Sequence, residues 1–243
     1  MKYIVLSLFV LLTPYVLPAQ CDNASELSAL SLEAFLTNDA DKWADAVKLA
    51  ETLPTTIEND INLAKLYFGA AGAAFSREDK AAIKDYSNRM EVPLDRVLEE
   101  EVNHPAANGL YSAYLGMLIS RTPMKGMLYG GKAGRMAKKG AEKGPNSPEA
   151  LYCLGSNLHY TPTTWGGDPE EAVVALKKSV AAFPPTANGC DWFHLQAYAL
   201  LGQAQANAGD KAGARQTYLK ALQLQPKFYW VSKVLLPGLD KAR

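Results

Sequence analysis

From Ser25 onward, apolar residues recur three and four positions apart with polar residues between them, and no stretch keeps the two-residue rhythm of a half-buried strand. Ala, Leu, Lys and Glu dominate these segments, and β-branched runs are absent. The pattern predicts an all-α fold made of helix pairs over 24–54, 58–105, 107–145, 148–184 and 191–226, with a short closing helix over 229–241. Pro54, Pro105, Pro145, Pro184 and Pro226 end the pairs, because proline has no amide donor and disfavours helical geometry in the residue before it. Pro93 falls inside the long helix predicted over 79–101, where a kink or a break is expected.

Three of the pairs repeat one another. The last carries Tyr198, Leu201, Gly202, Ala214, Tyr218, Ala221 and Pro226; the one before it Leu151, Leu154, Gly155, Leu158, Ala172, Leu176, Ser179 and Pro184. The earlier copy carries Leu115, Gly116, Ile119, Ala133, Ala137, Gly140 and Pro145. Small residues at such offsets let two helices approach closely, so Gly202 is expected to meet Ala214, Gly155 Ala172, and Gly116 Ala133. A hairpin of this kind cannot bury its apolar face alone and stacks on its neighbours.

On these residues the stretch from Ala107 to Phe228 resembles the tetratricopeptide repeat family. The resemblance implies a right-handed α-solenoid of stacked antiparallel hairpins with a C-terminal capping helix. Two copies lengthen the turn inside the hairpin, with Thr122-Pro123 and Thr161-Pro162 at one offset and the pairs Gly130-Gly131 and Gly166-Gly167 further on. With Asp168 completing a Gly-Gly-Asp triplet, the second turn is similar to those of a group of exported bacterial tetratricopeptide proteins.

The first residues read as an export signal. Met1-Lys2 is positive, Tyr3 to Leu12 is apolar over the length of a signal core, and Leu17-Pro18-Ala19 supplies a cleavage site after Ala19 or one residue later. Residues 1–19 are therefore taken as a signal peptide and 20–243 as a single helical repeat domain, exported and periplasmic. Lipidation at Cys21 ranks behind simple secretion because Gln20 is a poor residue to precede it, and a retained anchor ranks last, since Pro14 and Pro18 break the run and a span needs about 20 apolar residues. No other segment is long and apolar enough to span a bilayer. In an oxidising compartment Cys153 and Cys190 are the pair to consider; Cys153 as a small apolar residue inside a helix is the preferred reading, and Cys21 is expected to be mobile.

Charge and composition mainly exclude. Among 243 residues, 25 basic and 25 acidic side chains cancel, which removes any global attraction to nucleic acid. Three His and three Cys leave little room for a zinc site, no catalytic signature is present, and no cofactor is expected. The basic helix with Lys132, Arg135, Lys138, Lys139 and Lys143 is preceded by the acidic Glu91, Asp95, Glu99, Glu100 and Glu101, so its charges read as compensation between stacked helices. The candidates left are on the concave face lined by first helices, Tyr111, Tyr152, His194 and Tyr198, and in the second long turn, His159, Tyr160 and Trp165. Asn108, Ser112, Glu149, Ser156 and Gln205 share the face, and Met127, Leu128 and Tyr129 lie at the first turn. Tyrosines among small polar groups suit a peptide. The expectation is a non-enzymatic scaffold for a protein or peptide partner, with an envelope small-molecule binder serving a transporter as the alternative.

Overall fold

The computed structural model describes residue 21 and residues 25–241, so the export signal lies outside the described residues. All regular elements among the described residues are helical. Five hairpins follow one another: α1 (Glu26–Thr37) with α2 (Ala40–Glu51); α3 (Ile57–Ser76) with α4 (Lys80–Arg89) and α5 (Glu91–Glu100); α6 (Pro105–Arg121) with α7 (Gly126–Lys143); α8 (Pro148–Tyr160) with α9 (Pro169–Ala182); and α10 (Trp192–Asn207) with α11 (Lys211–Leu224). A π-helical turn, Val231–Leu235, leads into α12 (Leu236–Lys241), where Pro237 has no amide to donate. The α-solenoid expected from the repeats is what the chain forms.

Local chemistry explains the boundaries. Side chains of Ser25, Asp39, Thr56, Asp79 and Ser147 accept hydrogen bonds from the first free amides of α1, α2, α3, α4 and α8. His104 does the same through Nδ1 for the Ala107 amide at the start of α6. The interruption expected at Pro93 falls earlier, at Met90, between α4 and α5. Pro93 then lies in the first turn of α5, where its missing amide has no intrahelical role to fill, and Met90 is fully buried at the bend.

Two helix contacts differ from the expected crossings. Gly116 is exposed, and a Cβ there would meet nothing within 4 Å. The close approach of α6 and α7 is made instead at Gly140, where a Cβ would stand 2.8 Å from the Gly109 amide and the Pro105 carbonyl. Gly202 is covered by the Tyr218 ring rather than by Ala214, whereas Gly155 does face the Ala172 carbonyl, at 3.2 Å, beside Leu176.

The superhelix closes on itself. Phe35 of α1 lies 5.8 Å from the Trp192 ring and 5.2 Å from that of Phe228, Trp43 of α2 stands edge-on to Trp192 at 5.1 Å, and a disulfide joins Cys21 to Cys190. Cys153 is free and buried in α8, the small apolar helix residue that the sequence preferred, whereas the candidate pairing with Cys190 and the mobile Cys21 are corrected: Cys190 pairs with Cys21. The reason is topological, since α10 returns to the first hairpin and only the folded path brings residues 169 positions apart together.

Candidate functional site

The closure decides what remains of the concave face. Tyr152 is fully buried, its ring 4.7 Å from Phe193 and edge-on to Phe68 of α3, and its hydroxyl accepts from Gln196 Nε2 at 3.1 Å. Lys65 of α3 crosses to Glu149 of α8 at 3.2 Å and stands over the Phe193 ring. Much of the first-helix face is thus occupied by the chain's own α1 to α3. Asn108 is buried and donates to the Val102 and His104 carbonyls, Ser112 is buried, and Gln205 accepts from Thr217. These polar groups serve the fold.

Tyr111 is also buried; its hydroxyl lies 3.4 Å from both Glu91 and Lys132 Nζ, and burial followed by the negative charges of Asp95 and Glu91 pushes its pKa up to about 12. His194 stacks on Phe183 at 4.5 Å, next to Tyr198 at 5.0 Å. Neither of its ring nitrogens has a hydrogen-bond partner. Desolvation lowers its pKa, and Asp191 and the Val180 carbonyl, which faces the ring without hydrogen-bond geometry, offset this only in part. Tyr198 and His159 are half-buried, and His159 Nδ1 is buried without a partner.

An open cleft of about 600 Å³ remains at the start of the first helices, between Ile57, Ile61 and Asn62 of α3, His104 and Pro105 before and in α6, and Ser147 and Glu149 at α8. Sequence reasoning placed only Glu149 of these on the candidate face, because residues 57–106 precede the stretch that carries the repeat.

The two long turns form a second feature. The first is a 3-10 turn, Pro123–Lys125, running directly into α7; the second is a 3-10 turn, Thr163–Trp165, followed by left-handed Gly166 and then by Asp168 in extended backbone. Their glycine pairs are not equivalent. Gly130 and Gly131 are ordinary residues of α7, while Gly166 adopts φ +94° and a Cβ on Gly167 would collide with the Thr161 carbonyl. Asp168 accepts from the Glu170 and Glu171 amides at 2.9 Å, and Pro169 takes the first position of α9. The triplet is therefore a structural stop and start.

At the tips Met124 and Met127 are 81% exposed, Leu128 74%, Trp165 70% and Tyr160 66%. Gly134 of α7 abuts Asn157 of the antiparallel α8, which brings the first turn of α7 level with the residues after Tyr160. The turns thus share one edge. The concave-face candidates and the turn candidates form two separate groups, with Tyr152 and His194 inside the core and Tyr160 and Trp165 in solvent.

The expected compensation between the acidic α5 and the basic α7 is slight, since among the described residues no ion pair joins them. Burial and then Glu91 and Glu99 raise the pKa of Asp95 more than Lys132 lowers it, Lys132 lies over the Tyr111 ring, and Lys139 donates to the Val102 carbonyl. Among the described residues no set of three His, Cys, Asp or Glu side chains is arranged to hold a metal ion, and no helix is long and apolar enough to cross a membrane.

Residues 195–228 match the family model of the tetratricopeptide repeat. No curated protein matches the chain in sequence. Among solved structures, the HusA haemophore from Porphyromonas gingivalis is similar in fold, with 18% identity and a TM-score of 0.57 over 78% of this chain and 96% of that one. YrrB, described as a tetratricopeptide repeat protein with an unusual peptide-binding site, shares 15% identity at a TM-score of 0.43, covering 89% of this chain and all of its own. MamA from Desulfovibrio magneticus RS-1 shares 15% identity at a TM-score of 0.40, covering 83% and 97%. The match shows a tetratricopeptide repeat at residues 195–228, and the likeness to HusA shows the helical fold of the chain.

Proposed function

We propose that the protein is an exported, non-catalytic repeat scaffold that holds an extended peptide segment of a partner protein in the open part of its concave face. The cleft of about 600 Å³ beside α3, α6 and α8 carries this reading, since its size is that of a ligand site and much of the remaining face is filled. Ile57, Ile61 and Pro105 offer apolar walls, and Asn62 and Ser147 offer groups that bond a peptide backbone. Export is supported by the Cys21–Cys190 disulfide, a bond that persists in oxidising compartments. With its sulfur in that bond, Cys21 has no thiol for a lipid. Affinity recovery from envelope extract, with crosslinking, tests the scaffold reading. Wild-type protein should capture a partner that Ile57→Glu loses, and an empty capture for both overturns it.

A second reading is an envelope binder of a small apolar molecule. It is favoured by the aromatic set His159, Tyr160 and Trp165 in one turn, and the similarly folded HusA is a haemophore. Titration with haemin, followed by its absorption spectrum, distinguishes the two: a saturable spectral change abolished by Tyr160→Ala with Trp165→Ala supports the small-molecule reading.

A further inference from the structure

We propose that the edge formed by the two long turns seats the protein on an anionic bilayer surface. Single exposed apolar residues are ordinary on a protein surface, but here Met124, Met127, Leu128, Tyr160 and Trp165 are all at least 66% exposed and share one edge. They are mounted on turns held in place from within the fold: the first continues into α7, and the second is fixed by the Gly167 approach to Thr161 and the Asp168 cap. Exposed side chains of this kind can enter a lipid headgroup region anywhere, without a matching pocket.

Composition and charge point the same way. Trp and Tyr are amphipathic rings that favour the bilayer interface, and Met and Leu supply the flexible apolar tips. From Ile119 to Ala141 every charged residue is basic: Arg121, Lys125, Lys132, Arg135, Lys138 and Lys139. Of these, Lys125 lies on the tip itself, its ammonium 5.9 Å from the Tyr129 ring, where its long stem can keep the charge among anionic headgroups. Between Glu149 and Asp168 the chain has no Asp, Glu, Lys or Arg, and His159 there is held toward its neutral form by burial. The acidic groups next in sequence to that turn are Asp168, whose carboxylate is engaged by two amides, and Glu170 and Glu171 in the first turn of α9, while Glu91 and Asp95 of α5 face Tyr111 and Lys132 on the α7 side. Of the other basic residues, Arg121 donates to Ser87 and Asn88, Lys132 lies over the Tyr111 ring and Lys139 donates to the Val102 carbonyl, so the surface meeting the membrane is apolar with Lys125 as the basic group at its tip. The cleft proposed for a peptide lies elsewhere on the molecule, so the two functions fail independently.

The test uses the full mature chain and sucrose-loaded vesicles of phosphatidylglycerol with phosphatidylethanolamine, against vesicles of phosphatidylcholine alone. Cosedimentation is expected with the anionic vesicles, weakening as salt is raised. Leu128→Ser with Trp165→Ser should reduce the partition at least about tenfold, and Lys125→Glu should reduce it more at low salt than at high salt. Leu128 and Trp165 are exposed and Lys125 is half-buried beside Tyr129, and an unchanged thermal midpoint of each variant confirms the fold. Trp165 fluorescence should shift to the blue with vesicles, a change that Trp165→Phe removes while binding persists, because Trp43 and Trp192 are buried and the part-exposed Trp230 packs edge-on to Phe228 beyond α11, away from this edge. Absence of partition into anionic vesicles, or partition indifferent to the Leu128 and Trp165 substitutions, overturns the proposal. So does an edge that crosslinks to a partner protein while failing to bind vesicles.

Discussion

Gly140 and Gly116 belong to the same hairpin and have opposite meanings. A methyl group on Gly140 would press on the backbone of Pro105 and Gly109, which cannot yield as a side chain can. Gly140→Ala should therefore cost about 1–3 kcal/mol. At Gly116 the space is open, so Gly116→Ala should stabilise α6 by about 0.5–1 kcal/mol, and urea unfolding of the two variants checks both signs. The sequence marked both positions as small, but a motif offset does not say what lies opposite a residue. His194 makes a second point at this scale. Burial lowers its pKa below the ordinary 6.5, so the unfolded chain takes up this proton before the folded one does. Its contribution is complete above the ordinary value and is lost as pH falls from there through the lowered folded value. Thermal midpoints should drop between pH 7.5 and pH 5, and His194→Phe should flatten part of that drop, with His159, shifted in the same direction by burial, supplying another part.

The elements were largely legible because each carries its own stop and start chemistry. Helical periodicity, capping side chains and closing prolines act within a few residues, and the helices of the last three hairpins begin and end near where these signals place them. The second long turn shows how local this chemistry is: Asp168→Ala should cost about 0.5–2 kcal/mol by freeing two amides, with no change in partner capture, as measured by denaturation beside the affinity recovery described above. The two insertions looked alike by length and composition yet fold differently. Gly130 and Gly131 continue a helix, whereas Gly166 needs a left-handed backbone. Matching spacing could not separate them because helix continuation depends on what α7 packs against. The break at Met90 rather than Pro93 has the same origin, since proline marks a helix start as readily as a stop.

At the scale of the molecule, the first hairpin returns to the last repeat and the disulfide secures it. A bond between residues 169 positions apart removes much of the freedom of the unfolded chain, worth up to about 5 kcal/mol by loop entropy and about 2–5 kcal/mol when such bonds are removed. Cys21→Ser should lower the unfolding free energy by that amount, and amide exchange should rise first in α1 and α2, whose remaining ties to the last repeat include the Phe35 and Trp43 contacts with Trp192 and Phe228. Ring closure also redistributes the candidate site. Tyr152 and His194 lie on the first helices, as expected, but α3 and the loop bearing Phe183 cover them.

The sequence by itself determined the helices, their pairing into hairpins and the repeat that stacks them, because periodicity, caps and helix breakers act over short stretches of chain. Only the tertiary structure decided which cysteines meet, which glycines are crossings, and which aromatic residues face solvent. Those outcomes depend on segments far apart in sequence arriving at one place, and no local pattern records that arrival.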